Sequence, residues 1–111
     1  MYFQTQTING TTELAAISPT KKRGYEKIQS ITVIGKRWYD GQNTYHSTML
    51  LVNGKCMAYV PFSYGYSDSY IQTASEYLTA FIEVSPLWRW CKDNEINFFT
   101  TCADVQRRKD L

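Results

Sequence analysis

One histidine, His46, and three cysteines, Cys56, Cys91 and Cys102, are all that this chain offers in imidazole and thiol groups. None of them stands at a CxxC or HxxxH spacing, which argues against a zinc centre. The odd, widely spaced cysteines do not form a disulfide framework and are expected to be free thiols in a reducing cytosol. No GxxxxGK[ST], GxGxxG or GxSxG occurs, and no two acids form a recognisable acid–base pair, so neither an enzyme nor a cofactor is expected. His46 lies mid-strand between Tyr45 and Ser47 with no group placed to orient it as a base; a hydrogen-bonded imidazole on the sheet surface is the expected role. No apolar run approaches the roughly eighteen residues of a membrane span. The start "MYFQTQTING" lacks the basic and apolar stretches of a signal peptide.

Positive charge is also missing where it would matter most. From Cys56 to Trp88 there is no Lys or Arg, only Asp68, Glu76 and Glu83. Residues 1–55, by contrast, carry seven basic and three acidic groups. The basic clusters sit at Lys21, Lys22 and Arg23, at Lys36 and Arg37, and in the tail at Arg107, Arg108 and Lys109. Such clusters allow weak, salt-sensitive attraction to phosphate, which makes nucleic-acid binding the alternative function; more often they are simply solvated.

What the chain does have is apolar and aromatic surface. Its 111 residues are 43% apolar and 15% aromatic, enough for one folded domain with a core. Residues 1–24 form a separate segment in this reading: "YFQTQTI", Asn9-Gly10 and "TTELAAI" fit a hairpin, or a short helix in the second half, before the linker "SPTKKRG". Residues 25–111 form the domain. "KIQSITVIGKRWY", "TYHSTMLLV" and "KCMAYVPF" are β-branched or alternating runs separated by Asp40-Gly41 and Asn53-Gly54 turns. A helix follows Ser67-Asp68, with Ile71, Ala74, Leu78 and Phe81 on one face; Ser85-Pro86 starts a second, shorter one. "INFFTTCADV" fits a last strand. The expected fold is α+β: an antiparallel three-stranded sheet in β-β-β-α order, one main helix, a short second helix and a possible C-terminal strand.

The Asn53-Gly54 turn sets the expected register: Val52 opposite Lys55, Leu51 opposite Cys56, Met49 opposite Ala58, Ser47 opposite Val60 and Tyr45 opposite Phe62. The last four pairs share the more apolar face, which is expected to be core, with Cys56 and Phe62 buried. His46, Thr48, Leu50, Met57 and Tyr59 then fall on the face left for solvent or a partner. Within "YVPFSYGYSDSY", Pro61 lacks the ladder donor and is expected to break the alternation. Tyr64 and Tyr66, flanking Gly65, are then exposed, while Tyr70 folds back on the helix. The candidate partner-binding residues are therefore Tyr64, Tyr66, Tyr59, Met57 and His46, because exposed tyrosines make good contact residues. The tail "QRRKD" has no apolar pattern and is expected to be dispensable for folding.

Two resemblances bear on this reading. In element order, residues 31–81 resemble the C-terminal part of a double-stranded-RNA-binding domain, whose helix-start lysines grip phosphates. Ser67, Asp68, Ser69 and Gln72 stand at those positions here, so the resemblance implies topology and no RNA site. Residues 35–78, with "RWY", "NTYH", "VNGK" and "YGYSDSYIQTASEYL" in that order, resemble small uncharacterised proteins of bacteriophages and prophages. That resemblance implies a phage accessory protein in the host cytoplasm that binds a host protein, with inhibition of a host defence or host enzyme as one form of that role. It supplies no catalytic residues and no membrane partner.

Overall fold

The structure, a computed structural model, describes residues 1–80, 84 and 86–111. Asn9 and Gly10 both take positive φ, 53° and 81°, as a type I′ turn requires. They join β1 (Tyr2–Ile8) to β2 (Thr11–Ser18) in an antiparallel hairpin, so the helical option for this segment is not taken. The short strand β3 (Glu26–Lys27) pairs with the other edge of β1, giving a three-stranded sheet in the order β2-β1-β3. Phe3 and Leu14 carry this sheet into the common core.

The central meander forms where the turn residues place it. β4 (Ser30–Tyr39), β5 (Thr44–Val52) and β6 (Lys55–Tyr64) are antiparallel neighbours. The first turn is closed by the Asp40 carboxylate, which accepts the amides of Asn43 at 2.7 Å and Gln42 at 2.8 Å. Those bonds hold its pKa below the usual carboxylate range. At the second turn Asn53 lies at φ 52°. Its side chain accepts the Gln29 amide at 2.7 Å and donates to the Lys27 carbonyl at 2.7 Å, tying the β3–β4 connection to the hairpin.

Helix α1 (Ser69–Thr79) buries Tyr70, Ala74 and Leu78, a stripe of spacing four, against Ile31, Val33, Leu50 and Val52. Ile71, expected on that stripe, is only half-buried. Asp68 makes no side-chain cap; instead Ser69 Oγ donates to the Tyr66 carbonyl at 2.7 Å. Phe81 and Ser85, expected as core and cap, lie outside the described residues. Helix α2 (Leu87–Asp93) follows Pro86 and buries Leu87, Trp90 and Cys91. β7 (Asn97–Val105) then lies parallel to β4, completing a four-stranded sheet in the order β6-β5-β4-β7.

The expected α+β layer with a three-stranded sheet needs correction. The chain is mostly β, 51% strand and 20% helix, in one sheet of three antiparallel strands and one of four mixed strands. The C-terminal strand is integral, because the helical connection through α1 and α2 lets it return parallel to β4. With β7 placed against β4 and a second sheet built from residues 2–27, the double-stranded-RNA-binding-domain likeness also lapses.

The faces of the hairpin are inverted relative to expectation. Val52, Leu50, Thr48 and His46 point under α1, and each is at most 2% exposed. Leu51 and Cys56 pair as expected, but on the outer face, and Cys56 is exposed. Two bulges in β6 then reset the register. Leu51 pairs with Cys56 and Leu50 with Ala58, so Met57 is an extra residue, fully buried in the core. Thr48 pairs with Val60 and His46 with Ser63, so Pro61 and Phe62 together oppose Ser47. The ladder breaks at the proline as expected. Phe62 consequently lies on the outer face, 39% exposed rather than buried.

Candidate functional site

The outer face carries a stack of rings built strand by strand. Trp38 pairs across β4 and β5 with Tyr45, their centroids 5.8 Å apart. Tyr45 stacks on Phe62 of β6 at 4.7 Å and takes the edge of Tyr64, its register partner, at 5.7 Å. Arg108 then caps Phe62, its guanidinium carbon 4.3 Å from the ring centroid. Each contact is a cross-strand or cation–π pair worth about 0.5–1 kcal/mol, and together they fix the rings in place.

Arg108 reaches Phe62 because the tail is not free. From Val105 at the β7 edge it crosses the outer face to β6, where the Tyr59 hydroxyl donates to the Leu111 carbonyl at 2.8 Å. A 3-10 turn, Arg108–Asp110, forms on the way, with Arg107 Nε donating to Asp110 at 3.1 Å. The expectation of a dispensable tail is therefore revised. Removing residues 106–111 is expected to cost ~1–2 kcal/mol, one cation–π contact plus one net hydrogen bond, and to lower Tm by several degrees. An unchanged melting curve would show that the strap contributes nothing.

At one end of the same sheet three tyrosines stand largely in solvent: Tyr39 at 63%, Tyr64 at 68% and Tyr66 at 69% exposure. Tyr39 ends β4 and donates to the Gly41 carbonyl at 2.8 Å; Tyr64 ends β6; Tyr66 sits in the loop before α1. Tyr39 and Tyr66 flank a cleft of 330 Å³ with Arg37, Thr44, Ser67, Asp104 and Val105. Arg37 Nε donates to Asp104 at 2.8 Å, and that bond, the main cause, raises the guanidinium pKa further. The cleft thus contains an ion pair rather than a free cation.

Tyr64 also borders a second cleft of 540 Å³ between β6 and α1, with His46, Ser69, Gln72, Thr73 and Glu76 among its lining. His46 Nε2 lies 2.8 Å from Thr73 Oγ1 and Nδ1 lies 3.3 Å from the Gly65 carbonyl. Both ring nitrogens are used to tie β5 to the loop and the helix, so the imidazole is a buried brace and not the surface residue expected. Gly65, at φ 147°, allows this approach, since a Cβ there would lie 2.7 Å from Ser69 and 3.3 Å from His46. Burial pushes the Cys91 thiol up to about 12, leaving it inert, and raises that of Cys102. Among the described residues no group of His, Cys, Asp and Glu could hold a metal ion. No helix among them is long and apolar enough to cross a membrane.

Of the residues assigned to partner contact, Tyr59, Tyr64 and Tyr66 are exposed, whereas Met57 and His46 are buried and unavailable. The bulge explains Met57; the inverted face explains His46. Of the basic residues, Lys21, Lys22 and Arg23 lie exposed in the β2–β3 connection. Arg37 is committed to Asp104, Arg107 to Asp110 and Arg108 to Phe62. Lys36 meets the tail on the outer face, where it lines one depression with Arg107 and Lys109. Sequence reasoning missed Tyr39 and the Trp38 stack; an aromatic pair directly before the Asp40-Gly41 turn was the available signal. Comparisons with protein-family models, curated proteins and solved structures each find no match.

Proposed function

We propose that the chain is a phage-type accessory protein that binds a host protein in the host cytoplasm through the tyrosine-lined end of its four-stranded sheet. The observation that carries this reading is the gathering of Tyr39, Tyr64 and Tyr66, all more than 60% exposed, around one sheet end. Tyrosine offers a large amphipathic surface with few rotors to freeze, and such residues supply much of the binding energy at protein contacts. The Trp38–Tyr45–Phe62 stack holds Tyr64 against an edge contact, which lowers the entropy lost on binding. The resemblance of residues 35–78 to phage proteins supports the origin and the host partner.

A second reading, nucleic-acid binding, is favoured by one feature: Lys36, Arg107 and Lys109 share a depression next to the ring stack. Of the eight basic residues first considered, however, Lys21, Lys22 and Arg23 are elsewhere, and Arg37 and Arg107 are paired.

The test is capture from nuclease-treated host lysate on immobilised wild-type chain and on the Tyr64→Ala/Tyr66→Ala variant, with folding checked by circular dichroism. The expected result is a protein retained by the wild type at moderate salt and lost by the folded variant. Equal retention by both overturns the site. Retention that needs nucleic acid and disappears between low and moderate salt transfers the assignment to the basic depression.

A further inference from the structure

The two edges of the four-stranded sheet are built differently. β6 is interrupted by Pro61 and two bulges, which are common means of blunting an edge. β7 has none of these devices. Its nine residues, NFFTTCADV, contain no proline, no lysine and one charge, Asp104, and its pairing with β4 runs from Asn97 to Val105 without a register shift. The amide of Asn97 donates toward the β4 side, to the Gln29 carbonyl at 3.0 Å. Backbone groups alternate along a strand, so those of Phe98, Thr100, Cys102 and Asp104 point to the open edge. Among the described residues nothing pairs with them. The tail leaves β7 across the outer face, and so does not cover this edge.

We propose that the β7 edge pairs antiparallel with β7 of a second copy of this chain, about a twofold axis at Thr101. This register brings Phe98 opposite the partner's Asp104 and Thr100 opposite the partner's Cys102. These are the residues with outward backbone groups, so every one of those groups finds a partner. Placing the axis on a non-hydrogen-bonded pair, Thr101 with its own copy, is what an antiparallel ladder permits. The side chains fit the same symmetry. On the outer face Phe99, 56% exposed, meets the partner's Ala103, a large residue against a small one. No like charges are opposed, because Asp104 is the strand's one charged residue and already pairs with Arg37. Any antiparallel strand could meet the outward backbone groups; it is the pairing of Phe99 with Ala103 and the absence of opposed like charges, both properties of this strand against itself, that point to a second copy. The four-stranded sheet becomes continuous across the pair. The interface is narrow, so association is weak and concentration-dependent.

Sedimentation equilibrium over a concentration series tests this. The wild type is expected to pass from monomer to dimer. Thr100→Pro removes an outward amide without touching the β4 ladder and is expected to weaken the dimer by roughly tenfold or more. Thr101→Lys and Thr101→Glu, at an exposed outer-face position, are each expected to be monomeric, and an equimolar mixture of the two to dimerise. Only the symmetric register sets residue 101 against itself, so rescue in the mixture is diagnostic. A wild type that is monomeric at every concentration overturns the proposal. So does a dimer unaffected by these substitutions, or one lost in both and not restored by mixing.

Discussion

Met57→Ala should lower the stability of the chain by ~2–5 kcal/mol, while Cys56→Ala at the neighbouring position should leave it within ~0.5 kcal/mol. Met57 is fully buried, an extra residue turned into the core by the bulge between Cys56 and Ala58. Its truncation leaves a cavity among Leu50, Val52 and their neighbours that the sheet cannot close without giving up ladder hydrogen bonds. The Cys56 thiol is exposed and donates a weak hydrogen bond to the Ala58 carbonyl at 3.7 Å. Urea unfolding of the two variants measures the difference directly, as a shift of midpoint at constant slope. A regular hairpin with the opposite face buried would reverse the order.

Gly35→Ala is expected to cost roughly 3 kcal/mol, the upper end for overpacking a core with one carbon. A Cβ at this position of β4 would lie 2.6 Å from Tyr70 Cδ2 and closer still to Cγ. Tyr70 cannot swing away cheaply. It is 5% exposed under the first turn of α1, and its carbonyl accepts a bond from Thr48 Oγ1 at 3.3 Å. The glycine therefore sets how closely the helix approaches the sheet. A double-mutant cycle separates this clash from the change in strand propensity, which for Gly→Ala is slightly favourable. Tyr70→Ala, which removes the Cγ and Cδ2 that stand in the way, should be destabilising in the wild type but should relieve much of the cost of Gly35→Ala, giving a favourable coupling term. Strict additivity would show that helix and strand do not meet at this point.

What could be read from the sequence was what is local. Asn53-Gly54 marked its hairpin, Asn9-Gly10 allowed one beside a helical option, and the Asp40-Gly41 turn separated β4 from β5, because positive φ and side-chain-to-backbone bonds depend on neighbouring residues alone. The choice of face was not local. Both faces of β5 are substantially apolar, with Tyr45, Met49 and Leu51 on one and Leu50 and Val52 on the other. Ile31 and Val33 of β4, together with α1, decide between them. Likewise the parallel pairing of β7 with β4 joins residues almost seventy positions apart and leaves no trace in a short window. For the candidate site, a loop glycine between Tyr64 and Tyr66 announced their exposure. That Tyr39 joins them, and that Arg108 caps the ring stack, depends on the strand order and on the path of the tail.

The proposal that the tyrosine-lined sheet end is the contact surface is tested most directly by hydrogen–deuterium exchange on the captured complex. In the two loops that frame this end, residues 40–42 and 66–68 are exposed, and the amides of Gly41, Tyr66, Ser67 and Asp68, which make no hydrogen bond among the described residues, should exchange quickly in the free chain. The expected result is protection of both loops and of the ends of β4 and β6 on complex formation, with β1 and β2 unchanged. Protection confined to the tail and Lys36, or absent from both loops, would place the contact elsewhere and remove the tyrosines from it.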